Sequence, residues 1–356
     1  MNAPTENADL LIGSDNFDFI NGLGGDDAIF GLGDDDLLLG GDGNDLLVGG
    51  RGSDTLNGGA GNDTANFNDY DLGVSADLAQ GFVRFYSGGF GNTSEVDTLL
   101  SIENLTGGMA FDQLIGNASA NRLYGMLGGD QLIGNAGDDR LVGGEGDDSL
   151  DGGKGSDTLL GGSGIDTLVY WHSAKGVQID LIANSASGGE ANGDVISDCE
   201  SIIGSEFADT LTGNSSSSSL MGNGGNDVIT GNGGKDLIIG GTGGDTLSGG
   251  AGEDTFKFYD VADSGPAAAD LDLITDFKVG TDHIDLSGVG YFFDKHSLVH
   301  FSFVGSQKFS GNGDEIRLIY SGGNTYVTGD GNADKIVDFQ IKLTGHLDLT
   351  AADFIF

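Results

Sequence analysis

The chain reads as an all-β protein: a parallel β-roll in three repeat blocks, with two strand-rich inserts and a C-terminal β-sandwich cap. Two observations carry this. Asp18, Asp27, Asp36, Asp45, Asp54 and Asp63 stand nine residues apart, each two residues ahead of an apolar or small residue (Ile20, Ile29, Leu38, Leu47, Leu56, Ala65). Glycine supplies 68 of the 356 residues and falls in the same phase. The register G-G-x-G-x-D-x-U-x, with U a large aliphatic, is cleanest at 40–48 (GGDGNDLLV), 143–151 (GGEGDDSLD) and 152–160 (GGKGSDTLL). In phase there are six units at 13–66, seven at 107–169 and six at 204–257, and the sixth position is Asp in 17 of these 19, the exceptions being Asn121 and Ser218. Fixed periods of this kind mark stacked repeat architectures.

Each position of the unit has a physical task. Glycine allows positive φ and a tight turn, while x-U-x can extend as a short strand with only U pointing inward. Two nonapeptides then make one coil of turn, strand, turn, strand, and stacked coils set Asp45 beside Asp63 and Asp139 beside Asp157. Two carboxylates about 4 Å apart repel by roughly 4 kcal/mol at an effective dielectric near 20. A cation has to lie between them. Ca2+ takes six to eight hard oxygens in flexible geometry, and glycine turns bring main-chain carbonyls to the same place; Mg2+ demands a stricter octahedron.

Composition agrees. Lys+Arg of 14 against Asp+Glu of 56 gives a net charge of -42, which opposes compaction without metal. Metal binding is therefore expected to supply folding free energy, as suits a chain exported unfolded into a calcium-rich exterior. The charge argues against nucleic acid and anionic membrane as direct partners. The start, MNAPTENADLLIG, has no basic and apolar run of a secretory signal peptide, and no apolar stretch approaches a membrane span. One cysteine gives no disulfide framework.

On these motifs the chain resembles the RTX (haemolysin-type calcium-binding repeat) proteins of bacterial type I secretion. The resemblance implies a secreted, extracellular protein, multiple Ca2+ ions as cofactor, and the type I ABC transporter complex as partner. It also implies the ligands: carbonyl oxygens at the second and fourth positions and the Asp at the sixth. These are Gly41, Gly43 and Asp45 with Gly59, Gly61 and Asp63; Asn135, Gly137 and Asp139 with Gly153, Gly155 and Asp157; and Asn232, Gly234 and Asp236 with Gly250, Gly252 and Asp254. The intervening units add Gly50, Gly52 and Asp54, Gly144, Gly146 and Asp148, Gly162, Gly164 and Asp166, and Gly241, Gly243 and Asp245. Less complete units offer Asp18, Asp27, Asp36, Asp112, Asp130, Asp209 and Asp227. Asn135 and Asn232 replace glycine but tolerate the left-handed conformation. Asn121 could still offer an oxygen, Ser218 marks a weak or empty site, and GSDNFDFIN, short of glycines, reads as a cap on the stack.

Between the blocks, which fall at 1–66, 107–169 and 204–257, lie inserts at 67–106 and 170–203 that share a plan. Gly73 through Leu78 matches Gly176 through Leu181, and Asp97 through Gly107 matches Asp194 through Gly204. Both read as β-ribbons or widened coils. The match sets Cys199 against Ile102, a small buried hydrophobe, and Trp171, which with His172 begins the second insert, reads as a packing aromatic in preference to an exposed recognition patch. From 258 to 356 aromatic, alternating strands take over. This stretch, with DGNADKIVDFQIKLTG and the ending LTAADFIF, resembles the C-terminal domain of serralysin-type (M10) metallopeptidases, which closes the repeat stack and carries the secretion signal.

A peptidase centre is another matter. The zinc motif H-E-x-x-H needs a Glu base between histidines on one helical face, and His296-Ser297-Leu298-Val299-His300 lacks it. There is no G-x-S-x-G elbow. No catalytic residues are assigned, and the expected role is extracellular calcium binding in adhesion, surface layer or matrix, with a cell-surface or polysaccharide partner as the class left open. The alternative is the repeat and secretion module of a peptidase, epimerase or lipase system. A separate calcium candidate is Asp330, Asn332, Asp334 and Asp338, at EF-hand positions 1, 3, 5 and 9, although Lys335 replaces the needed Gly and Ile341 the bidentate Glu.

Overall fold

The computed structural model describes residues 4–68, 70–86, 95–289 and 301–356. Among them there is no α-helix; strands are three to seven residues long with a few two-residue pairs and short 3-10 turns. They form two compact units, Met1–Val169 with Gly193–Cys199, and Tyr170–Asn192 with Glu200–Phe356.

In the first unit, alternate strands build two parallel ladders. Leu10–Ser14, Ala28–Gly33, Leu46–Arg51 and Thr64–Asn66 pair in turn on one side. Phe19–Gly24, Leu37–Asp42 and Thr55–Ala60 pair on the other. The register is one coil of 18 residues, so that Leu38 lies over Leu56 and Leu123 over Leu141. Alternation of side chains along each strand sends only the U residue inward: Leu38, Leu47, Leu56, Leu123, Leu132, Leu141, Leu150 and Leu159 are fully buried. Each such leucine stabilises by about 1.5–3 kcal/mol, and these rows are the core.

The turns depend on left-handed backbone at two positions. Gly41 (φ 116) and Gly43 (φ 138) are the plain case, where a Cβ would run into the carbonyls of Leu23 and Gly25 one coil away. Leu23, Leu32 and Met126 adopt the same left-handed φ at the second position, at a cost of roughly 1–2 kcal/mol each.

The first insert is a ribbon spliced into a ladder. Thr55–Ala60 pairs in parallel with Val96–Leu100, which runs antiparallel to Phe82–Phe85. Phe82–Phe85 in turn runs antiparallel to Val74–Asp77, which pairs in parallel with Gln113–Ile115. Tyr70 stacks on Phe85 at 4.4 Å and its hydroxyl donates to the Gly50 carbonyl. From the second insert, Val195–Ser197 pairs with Thr158–Ser163. Cys199 and Ile102 are both 4% exposed, matched buried hydrophobes. Trp171 departs from expectation: it is 57% exposed, its ring near His172 rather than in the core.

In the second unit, Thr210–Thr212, Val228–Thr230, Thr246–Ser248 and Asp272–Ile274 form one ladder. Ile202 lies over Leu220, Ile238 over Phe256, and Thr255–Lys257 pairs with His283–Asp285 in the other. The C-terminal strands join both layers. Phe339–Leu343 pairs with Asp272–Ile274 and leads an antiparallel meander through Asn324–Asp330 to Glu315–Ser321. Phe354–Ile355 pairs with His283–Asp285. Aromatic side chains (Phe301, Phe339, Phe354, Phe356) fill this end.

Candidate metal sites

The sixth-position residue ends each turn and precedes the inward U by two, so its side chain is drawn beneath the turn. Vertical stacking then links these residues into columns. The Asp27 N–H donates to Asp45 Oδ1 at 2.8 Å and the Asp45 N–H to Asp63 Oδ1 at 2.8 Å. The same bond joins Asp36 to Asp54, Asp130 to Asp148 and Asp148 to Asp166, at 2.7–2.9 Å. Asp139 donates to Asp157 at 2.8 Å. In the second unit Asp227 donates to Asp245 at 2.8 Å and Asp236 to Asp254 at 3.1 Å. Like charges therefore stack at one coil spacing, about 4.8 Å.

One oxygen of each carboxylate is thus spoken for; the other is not. Oδ2 of Asp27, Asp36, Asp45, Asp54, Asp63, Asp130, Asp139, Asp148, Asp227, Asp236, Asp245 and Asp254 is buried with no hydrogen-bond partner. An unmet buried carboxylate oxygen is among the most unfavourable groups a protein can hold. Position-one glycine is what admits it: a Cβ on Gly40 would strike Asp45 Oδ2 and the Gly58 carbonyl, and one on Gly143 would strike Asp148 Oδ2 and the Gly161 carbonyl. Carboxylate and carbonyl oxygens with no donor between them suit a hard divalent cation. Among the described residues no three His, Cys, Asp or Glu side chains converge on one point. The remaining oxygens must come from the main chain.

Burial, followed by neighbouring carboxylates, pushes these groups up: Asp54, Asp130 and Asp139 to about 7, Asp63, Asp236 and Asp245 to about 6, and Asp227 to about 8. Raised carboxyl groups mean that the metal-free fold binds more protons than the unfolded chain, so its stability rises as pH falls through this range. In EDTA the chain is therefore expected to gain β-structure between about pH 8 and pH 5. Circular dichroism checks this; a transition confined to pH 4 and below, where ordinary carboxylates titrate, would contradict it.

Not all predicted ligands share this state. Asp18 Oδ2 accepts from Ser14 N at 2.6 Å, Asp112 Oδ2 from Gly108 N at 2.6 Å, and Asp209 Oδ2 from Ser205 N at 2.6 Å. Asn121 Oδ1 is likewise taken by Asn117 N at 2.8 Å, so the oxygen it was expected to offer is engaged. Ser218 keeps its place by donating its N–H to Asp236 Oδ1 at 2.9 Å but brings no carboxylate. In the EF-hand-like loop, Asp330 accepts from Ala333 N and Lys335 N, Asp338 from Gly331 N and Asn332 Nδ2, and Asp334 from Ile336 N. Those bonds describe a self-satisfied polar turn. His296–His300 lies outside the described residues.

The columns also contain members that the repeat count passes over. Asp54 N donates to Asp97 Oδ1 and Asp157 N to Asp194 Oδ1, each at 2.9 Å. Asp63 N donates to Glu103 Oε2 at 2.9 Å. Asp245 N donates to Asp272 Oδ1 at 2.8 Å and Asp254 N to Asp282 Oδ1 at 3.2 Å. A signal existed: Asp97, Asp194, Asp272 and Asp282 each stand two residues ahead of a buried apolar residue (Leu99, Ile196, Ile274, Ile284), the D-x-U offset without its glycines.

Comparison with known proteins finds matches to the repeats and to the C-terminal stretch. The model for the peptidase M10 serralysin C terminal matches residues 55–356, and that for the RTX calcium-binding nonapeptide repeat matches 5–38 and 39–68. Neither is a catalytic-domain model. No curated protein matches. Among solved structures, the AlgE6R2 subunit of the Azotobacter vinelandii mannuronan C5-epimerase is 28% identical, covering 44% of this chain and 92% of its own, with a TM-score of 0.34. The AlgE6R3 subunit of the same epimerase is 30% identical over 43% of this chain and 81% of its own, TM-score 0.33. Extracellular lipase LipA of Serratia marcescens is 16% identical over 69% of this chain and 40% of its own, TM-score 0.24.

Proposed function

The chain belongs to the peptidase M10 serralysin C-terminal family, its nonapeptide repeats bind Ca2+ at multiple sites, and from that premise we propose a non-catalytic repeat protein, delivered by a type I secretion system and folded by calcium outside the cell, with a role in adhesion, surface layer or matrix. The observation that carries it is the column of buried carboxylates whose second oxygen meets no donor. Ions in these columns would be held by pairs one coil apart: Asp45 with Asp63, Asp139 with Asp157, Asp236 with Asp254. Carbonyls of Gly41, Gly43, Gly59 and Gly61, and their equivalents at Asn135, Gly137, Gly153 and Gly155 and at Asn232, Gly234, Gly250 and Gly252, would complete the shells. Bound calcium supplies the positive charge that the stack lacks. The chain's own part is to hold the oxygens in place with stacked turns.

Asp148 tests the assignment. It sits between Asp130 and Asp166 in one column, so one carboxylate serves two neighbouring ions, whereas Ser218 contributes none. Asp148→Ala is expected to raise the calcium midpoint roughly tenfold or more, the loss of contacts worth about 1.5–3 kcal/mol each. Ser218→Ala should leave it nearly unchanged. Equal midpoints in a calcium titration followed by circular dichroism would defeat the ligand assignment. The match to a peptidase C terminal favours one rival, the repeat and secretion module of an enzyme system; a second coding region directly upstream bearing H-E-x-x-H would support that reading.

A further inference from the structure

The closed carboxylates are not scattered. Asp18, Asp112 and Asp209 each belong to the first coil of a block, and the other half of that coil is closed or neutral as well. Opposite Asp18 stands Asp9, whose Oδ2 accepts from Thr5 N at 2.7 Å and Thr5 Oγ1 at 2.9 Å. That bond makes residues 4–12 a degenerate unit which the nonapeptide count leaves out. Opposite Asp112 stands Asn121, and opposite Asp209 stands Ser218.

Backbone conformation divides the units in the same way. Every nonapeptide unit whose Asp leaves Oδ2 unmet has left-handed φ at its second and fourth positions, whether these are glycines or, as at Leu23, Leu32, Asp34, Met126, Asn135, Asn223 and Asn232, other residues; Asp272, past the repeats, leaves Oδ2 unmet without it. In the head coils the second and fourth positions (Ser14 and Asn16, Gly108 and Ala110, Ser205 and Phe207) do not adopt it. There the second-position N–H faces the Asp and donates to it, which is the position a cation would need.

Resting on the calcium reading above, we infer that the head coil of each block is a metal-independent template and that calcium fills three separate runs, each beginning one coil later. A main-chain N–H replaces the ion in these coils, and neutral Asn121 and Ser218 remove the second charge. Each template presents finished strands and N–H donors to the first metal-binding coil: Asp9 N to Asp27 Oδ1 and Asp18 N to Asp36 Oδ1 at 2.8 and 2.7 Å, and Asp112 N to Asp130 Oδ1 and Asp209 N to Asp227 Oδ1 at 2.8 Å each.

The test counts ions on the full chain by native mass spectrometry, alongside a calcium titration by circular dichroism. One variant carries Asp18→Asn, Asp112→Asn and Asp209→Asn; the other carries Asp45→Asn, Asp148→Asn and Asp245→Asn. Asn keeps the acceptor for the second-position N–H, as Asn121 does with Asn117 N, but at Asp112 and Asp209 it turns its NH2 on Val74 N and Val177 N, so Asp18→Asn alone is the arm expected to leave folding unchanged and is measured beside the triple variant. The first variant is expected to retain the full complement of ions, with its calcium midpoint within about twofold of the parent, and the second to lose ions. Loss of ions from both would overturn the template and leave the ligand assignment standing. Loss from neither would remove the assignment itself, and the template with it. Asn121→Asp gives an independent arm: it should add no ion, and an added ion would overturn the inference.

Discussion

In EDTA the chain is expected to be largely disordered, and in millimolar Ca2+ to become β-rich in one cooperative transition, with apparent affinity in the range of extracellular modules, about 10⁻⁴ to 10⁻³ M. The metal-free state carries three costs. The net charge is -42. Sixty-eight glycines must be ordered, and glycine loses more conformational freedom on folding than any other residue. Each stacked pair of carboxylates adds repulsion of roughly 4 kcal/mol at an effective dielectric near 20, with a buried oxygen that water no longer reaches, as at Asp45 and Asp63. Against these stand the rows of buried leucines and the cap. Calcium acts on the charge and the unmet oxygens together, so its removal should be felt along the whole column. A far-ultraviolet spectrum that stays β-rich after exhaustive chelation at pH 8 would refute the coupling.

Much of this was legible because a period of nine forces one answer. Asp every ninth residue with U two later fixes strand, turn and coil, and the stacking of Asp45 on Asp63 follows from the coil length alone. What escaped was carried by single residues outside the phase. Asp97 and Asp194 continue the columns from within inserts, and Asp272 and Asp282 do so past the last nonapeptide, where only the D-x-U offset survives. The state of a carboxylate was also hidden. Asp18 and Asp45 occupy the same place in the sequence unit, and the handedness of the second and fourth positions separates the one whose second oxygen accepts an N–H from the one whose second oxygen meets no donor. Leu23, Leu32 and Met126 show why composition could not settle it, since each takes a conformation that its residue type disfavours. Trp171 escaped because residue type alone favours packing for an aromatic, whereas the turn after buried Tyr170 carries its ring outward.

Deleting the region after Asp254 is expected to abolish secretion through a matching type I transporter, while deleting 13–66 only slows it. The address is expected in the stretch that matches the serralysin C terminal, with Asp353-Phe354-Ile355-Phe356 as its candidate segment. In the folded protein the first half of this segment is tied down. Asp353 is 1% exposed and its carboxylate accepts from Gly280 N at 2.6 Å and Thr350 N at 2.7 Å. Phe354 pairs with Ile284 and stacks on Phe356 at 5.5 Å. On the proposed reading a transporter would engage it before the cap closes, and low cytosolic calcium would hold the cap open by leaving the neighbouring columns, Asp254 to Asp282 among them, in mutual repulsion. Leaving first, the cap would meet calcium first and fold outside, and each coil closing behind it would oppose backward movement. The blocks far from the address contribute only to that ratchet, which is why their loss should lower the rate and spare the outcome. Secretion of the C-terminally truncated chain into the medium at the parental level, with a cytosolic marker absent from the medium, would overturn this account.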